Sequence, residues 1–260
     1  MSTNIIKITD DFWNIRGSFK IKGLVDIGTH ASLARLANGK FIFLDSLSMD
    51  EKTLNEVRQI TNNERLLEAV INLHPFHTVH TLWMHKTFPN AKHYGTKRHL
   101  QKFPNLKWQN MKSEDSELHE LYSSDLEFSV PRGVDFIPEN EKLHFSSILV
   151  YHLSSKTIHV DDTIMYLSLP KLLKLFGLSD HIGLHPTLSR VLEERSEAAD
   201  EFNHWAQELV QSWSGAQNLC SAHKGTLVGE KEKDVSLEKE MSKAIDKVQN
   251  ILELHKKKYS

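Results

Sequence analysis

The sequence predicts an α+β protein in which two β-sheets pack face to face, with helices covering their outer faces. Three observations predict it. Short strand-like runs fall in two groups, one before residue 74 and one after residue 125, with helical periodicity between and beyond them. Strict strand–helix alternation, which a doubly wound parallel sheet needs, is absent. So is a Gly-rich phosphate loop, which argues against a nucleotide enzyme.

The first 45 residues supply the first group: IIKI, FWNIRG, FKIKGLVDI, ASLARLA and FIFLD are alternating or wholly apolar. Asn38-Gly39 before KFIFLD suits a hairpin turn, because both residue types tolerate positive φ. Residues 50–62 form a helix with Leu54, Val57 and Ile60 on one stripe. LLEAVINL is a buried strand running into a histidine cluster, TLWMHKTF a short helix, and FPNAKHYGT a turn followed by a strand. Residues 111–121 are a polar surface helix or loop. The second group is LEFSV, VDFI, SSILVYHL and TIHVDD, the last two joined as a hairpin through Ser154-Ser155-Lys156. From Leu169 the pattern turns helical, with a long segment over 188–212, and then a short apolar run, AQNLCSAH. The C-terminal segment, 235–258, is one amphipathic helix with Leu237, Met241, Ala244, Ile245, Val248, Ile251 and Leu252 at three- and four-residue steps. No repeat, low-complexity tract or linker divides the chain, so residues 1–260 are expected to form a single domain.

Composition narrows the function. A net charge of −2 offers no general attraction to nucleic acid or an anionic membrane surface, so neither is an expected partner. No apolar run approaches the roughly 20 residues that span a bilayer. The N-terminus lacks the basic and apolar regions of a secretory signal, and the single Cys220 rules out an intrachain disulfide. The expected location is the cytoplasm. The unusual number is 16 His, and their positions matter more than their count.

Residues 71–80 read INLHPFHTVH, with His74, His77 and His80 spaced by three after a buried strand. Neutral imidazole binds zinc and iron, and carboxylates complete such sites. Three later segments carry matching chemistry. LHFSSILVYH sets His144 before a strand, TIHVDDTIMY sets Asp161 and Asp162 after one, and NLCSAHKGTL sets His223 after another, next to Lys224-Gly225. Cys220 lies in an apolar run and reads as a small hydrophobe. Ser146 and Ser147 lack the nucleophile elbow of a serine hydrolase.

In this order and spacing the chain resembles a diverged member of the metallo-β-lactamase superfamily over most of its length. LARLANGKFIFLDS resembles the family's opening hairpin, with its strand ending in Asp45. VINLHPFHTVH falls at the H-x-H-x-D-H signature, HFSSILVYHLSSKTIHVDDTIMY at the third histidine and the bridging aspartate, and LCSAHKGTL at the final histidine. The resemblance implies a four-layer αββα sandwich with metals at one edge of the sheets. His144, Asp162 and His223 fall on metal-binding positions, with Asp161 an adjacent alternative to Asp162. With His80 on the last signature histidine, His77 takes the second, Pro75 falls on the first, and His74 is displaced by one residue. The signature aspartate becomes Val79, which coordinates nothing.

The implied metal set is His74, His77, His80, His144, Asp162 and His223, holding one zinc or iron ion rather than two, with a metal-free site left open. The implied activity is metal-dependent hydrolysis of an ester, lactone or thioester-type small molecule. In it Asp162 is both ligand and catalytic proton acceptor. The alternative is a catalytically inactive member that binds a small molecule or a protein partner. The oligomeric state is not set by the sequence.

Overall fold

A computed structural model of the chain describes residues 2–21, 25–167, 180–222, 225–229 and 236–260. The first half contains β1 (Thr3–Lys7), β2 (Phe12–Gly17), the short pair β3 (Lys20–Ile21) and β4 (Val25–Asp26), β5 (Thr29–Arg35) and β6 (Phe41–Leu44). Next come α1 (Glu51–Ile60), β7 (Leu67–Ile71), α2 (Thr81–Thr87), β8 (Lys92–Tyr94), α3 (Lys97–Lys102) and α4 (Ser116–Leu121). The second half contains β9 (Leu126–Ser129), β10 (Leu149–His152), β11 (Thr157–Val160), β12 (Ile164–Leu167) and β13 (His181–Leu184). It ends with α5 (Leu188–Val191), α6 (Ala198–Ser212), β14 (Asn218–Ser221), β15 (Gly225–Leu227), α7 (Leu237–Asp246) and α8 (Gln249–Tyr259).

Two sheets dominate. One has the order β1-β2-β5-β6-β7-β8 and the other β15-β14-β11-β10-β9. Antiparallel hairpins build the start of the first sheet, while β7 and β8 add in parallel through the α1 and α2 crossovers. Period-two alternation then sorts side chains into three apolar layers. In β6, Ile42 and Leu44 point between the sheets, where they meet Ile71, Ile148 and Val150. Phe41 and Phe43 point outward, onto Val57 of α1 and Met84 and Phe88 at α2. On the second sheet, Leu149 and Tyr151 face outward with Ile158, against Phe202 and Trp205 of α6. The order is helix, sheet, sheet, helix. Both faces of both sheets are covered, so the strand runs are nearly continuously apolar.

Local signals account for the boundaries. Gly39, with φ 82°, closes the β5–β6 hairpin. Asp50 caps α1 by accepting Thr53 N–H at 2.9 Å, and its other oxygen accepts Thr3 N–H at 2.9 Å, tying the helix to β1. The β10–β11 hairpin turns through residues 153–156, with Lys156 at positive φ.

Four expectations differ. VDFI is not a strand: Val134 makes one isolated bridge to Leu192. The preceding Gly133, at φ 69°, lies so close to α6 that a Cβ there would fall 2.0 Å from Ala198 O. The same bridge interrupts the helical segment over 188–212. Leu192 is extended (ψ 130°), and the helix restarts only at Ala198. The C-terminal stripe is two helices, because the chain turns at Lys247–Val248 and both pieces pack on α6. In the stretch expected to be helical from Leu169, residues 181–184 form a strand against β12, and the part before residue 180 lies outside the described residues. Among the described residues, no helix is long and apolar enough to cross a membrane.

The Asp50 cap gives a pH test of how β1 and α1 are joined. Two accepted N–H groups lower its carboxyl from the ordinary 3.8 to about 2. A depressed folded pKa stabilises fully above the unfolded value and loses that stabilisation as pH falls through the folded one. The difference in urea midpoint between wild type and Asp50→Ala is therefore expected to be full above pH 3.8 and to close as pH approaches about 2.

Candidate metal centre

The site lies at the edge of the two sheets where β6, β7 and β11 end. Asp45 follows β6 at positive φ (64°), and its Oδ1 accepts the Leu73 N–H at 2.8 Å, tying the exits of β6 and β7 together. Asn72 adds a second tie, donating to Tyr94 O at 2.9 Å and accepting the Ser46 hydroxyl at 2.6 Å. His74 thus leaves β7 from a fixed backbone. The loop beyond it is held by α3, where Lys102 Nζ donates to Thr78 Oγ1 at 2.7 Å. The Arg98 guanidinium lies 4.7 Å above the Phe76 ring and pairs with Glu141 at 2.7 Å. On the opposite side, Thr163 donates to Phe145 O at 2.8 Å and accepts Ser147 N–H at 3.1 Å. That residue locks the turn carrying His144 to the turn carrying Asp161 and Asp162.

Four predicted residues come together. His74, His77, His144 and Asp162 each bring one donor atom within 4.8 Å of the others. Around Asp162 Oδ2 lie His74 Nε2 at 3.2 Å, His77 Nε2 at 3.4 Å and His144 Nδ1 at 3.8 Å. Ligand atoms about 2.0–2.1 Å from a tetrahedral ion stand about 3.3 Å apart, so these separations fit one ion. The donor set fits as well: imidazole nitrogens and a carboxylate oxygen suit zinc or iron.

His80 is outside the cluster, at the start of α2, with its Nδ1 2.9 Å from Ser48 Oγ. It lines the same cavity as His77, His144 and Asp162, but its donor atoms are not among those that converge. His223 lies outside the described residues. Val79 is 69% exposed, at the rim.

The sequence reading missed a second layer. Asp161 accepts His30 Nε2–H at 3.2 Å and has His77 Nδ1 at 3.3 Å. Asp45 Oδ2 pairs with His159 Nε2 at 3.0 Å, and His159 Nδ1 meets Ser32 Oγ at 2.9 Å. His30 and His159 stack with ring centroids 4.5 Å apart. The available signal was polar residues at inward strand positions: His30 and Ser32 in β5, Asn14 opposite Ser32 in β2, and His159 in β11.

Electrostatics separates the imidazoles. Burial works against a charge on His77, but Asp161 and Asp162 outweigh it and hold its pKa well above the usual value. Burial and His77 push His74 down to about 4. Burial opposes the Asp161 charge, yet His77 and His30 keep that carboxyl well below its ordinary range. Asp45 is pushed up to about 6 by burial and by the Asp161 charge. Three of the four, His77, His144 and Asp162, line a cavity of about 680 Å³ together with His80, with Phe19, Ile27, Phe76 and Val79 on its apolar wall and Lys142 and His185 among its polar lining.

Comparison with solved structures finds this architecture in metallo-β-lactamases. The DIM-1 metallo-β-lactamase is 16% identical, with 96% of this chain and 99% of that one aligned at a TM-score of 0.61. A metallo-β-lactamase from Pontibacter korlensis is 11% identical, covering 94% and 99% at a TM-score of 0.59. The metallo-β-lactamase FIM-1 from Pseudomonas aeruginosa, in its mono-zinc form, is 11% identical, covering 95% and 96% at a TM-score of 0.58. No protein-family model matches the chain, and no curated protein matches it. The chain has the metallo-β-lactamase fold.

Because metal ligation requires a neutral imidazole, loading this cluster displaces the His77 proton. Titration calorimetry in buffers of different ionisation enthalpy is expected to show about one proton released per ion near neutral pH. Apparent affinity should rise about tenfold per pH unit until the raised His77 pKa is passed.

Proposed function

We propose that the protein is a hydrolase using a single zinc or iron ion, acting on an ester, lactone or thioester-type small molecule. The observation that carries this reading is the convergence of His74, His77, His144 and Asp162, the last three lining a cavity. Among the described residues one ion fits better than two, because Val79 offers no donor where the signature aspartate would stand and His80 is outside the converging group. A bound ion would supply Lewis acidity toward a carbonyl oxygen and lower the pKa of a water molecule. Asp162, buried beside the cluster, is the group placed to accept a proton there. Phe19, Phe76 and Val79 present an apolar wall for the acyl portion, and Lys142 a cation for an anionic substituent.

One observation favours a second reading. His77, protonated between Asp161 and Asp162, balances the site's charge without a metal. That arrangement would suit a non-catalytic protein that binds a small molecule or partner.

Metal content separates the two. Purified without a histidine tag, the wild-type chain is expected to hold close to one equivalent of zinc or iron, and His144→Ala to lose it. The loaded chain is then expected to turn over members of an ester, lactone and thioester panel. No uptake after saturation with either ion sinks the hydrolase reading and leaves the binding role.

A further inference from the structure

Two buried histidines face the aspartate pair from the interior, and each already uses its Nδ1. His74 Nδ1 accepts the Phe76 backbone N–H at 3.1 Å. His30 Nδ1 meets the Asn14 amide nitrogen at 3.1 Å. The direction of that amide is fixed on all sides. Its two N–H groups are shared among His30 Nδ1, Ala31 O at 3.3 Å and Ser32 Oγ at 3.0 Å, and its Oδ1 accepts the Thr226 hydroxyl at 2.9 Å.

A neutral imidazole carries a single proton, so a ring that accepts at Nδ1 holds it on Nε2. A ring that accepts a hydrogen bond at Nδ1 has its lone pair there, so it is the neutral form with a single proton. The Nε2 atoms of His30 and His74 lie 3.2 Å from Asp161 Oδ1 and 3.2 Å from Asp162 Oδ2 respectively. A protonated Nε2 has no lone pair to offer a metal. Asp161 takes that proton's hydrogen bond from His30, while His74 Nε2 stands 3.2 Å from Asp162 Oδ2.

His77 and His144 are placed differently. His77 has Nδ1 3.3 Å from Asp161 Oδ1 and Nε2 3.4 Å from Asp162 Oδ2, so the proton displaced on metal loading is the one on Nε2. His144 is 40% exposed and presents Nδ1 at 3.8 Å from the same oxygen. Starting from the proposed metal site, we infer that its cluster divides into three ligands, His77, His144 and Asp162, and a positioning residue, His74, which acts through Asp162, while His30 and Asp161 act through His77.

Carboxylate–histidine–metal triads fix a ligand's tautomer and ring direction, and Asp161–His77 has that form. The same argument denies a second ion to His30, His159 and Asp161, although their donor atoms also lie within 4.8 Å. Those two rings are nearly parallel, at 8°, so their in-plane lone pairs run side by side rather than converging.

Cobalt(II) and zinc titrations of the full chain test the division. His74→Gln and Asp161→Asn are each expected to bind one equivalent about 10–100-fold more weakly than wild type, with the shape of the cobalt visible bands retained. His144→Ala is expected to bind none. If wild type binds and a folded His74→Gln does not, the division is overturned while the metal site stands. If wild type itself binds nothing, the functional reading falls as well. Should His74→Gln fail to fold, long-range ¹H–¹⁵N spectra of the metal-free wild-type chain decide: Nε2–H tautomers at both His30 and His74 are expected, and Nδ1–H at either overturns the inference.

Discussion

Asp161 and Asp162 end β11 side by side, each 1% exposed, with the buried Asp45 alongside. A carboxylate taken out of water costs several kcal/mol unless charge and hydrogen bonds compensate it. Here the close compensation comes from histidine: His30 and His77 on Asp161, His74, His77 and His144 on Asp162, and His159 on Asp45. Arg16 contributes only at longer range, because its guanidinium is committed to Ser221 O at 2.6 Å. Imidazole can donate, accept, carry charge or bind a metal, so it lets one buried acidic pair exist in metal-free and metal-bound forms.

The sandwich makes this compensation reachable. One sheet brings Asn14, His30 and Ser32 on paired strands, and the other brings His159 and the aspartates. The layer between the sheets is apolar around Ile42, Leu44, Ile71 and Val150 and turns polar only where the strands end. A polar network inside a sheet interface is tolerated when its members are paired, and the pairing here crosses the interface between His30 and Asp161 and between Asp45 and His159. The polar end therefore adds cross-sheet bonds to the apolar packing.

Much of the architecture was legible because it follows from local periodicity. FIFL and LVYH are continuously apolar, and only strands covered on both faces need that. Helix breaks were not legible. An apolar stripe reports which face is buried, whereas the interruptions at Leu192 and Val248 arise from a distant bridge and from packing on α6. The convergence of His74, His77, His144 and Asp162 was readable from residue type at strand ends. His30 was not, because its partner Asp161 is 131 residues away and a lone histidine in a strand carries no mark of that pairing. The three-residue step of HPFHTVH does not bring His80 into that four-residue group, because the backbone turns into α2 between His77 and His80.

The substitution at Val79 has a counterpart elsewhere in the site. The signature of the resembled family sets a carboxylate on the histidine loop, where this chain has an apolar, exposed side chain. A second carboxylate is nonetheless present, on the opposite side, as Asp161 next to Asp162. A carboxylate on a loop moves with the loop. One at the end of β11, backed by His30 and Asn14, is fixed by the sheets themselves. Placing the acid there leaves His77 as the link between the strand-borne charge and the cavity and leaves the loop rim apolar. The site's electrostatics are thereby set by the sandwich, while the wall facing a ligand is set by Phe76 and Val79, so the two can vary independently.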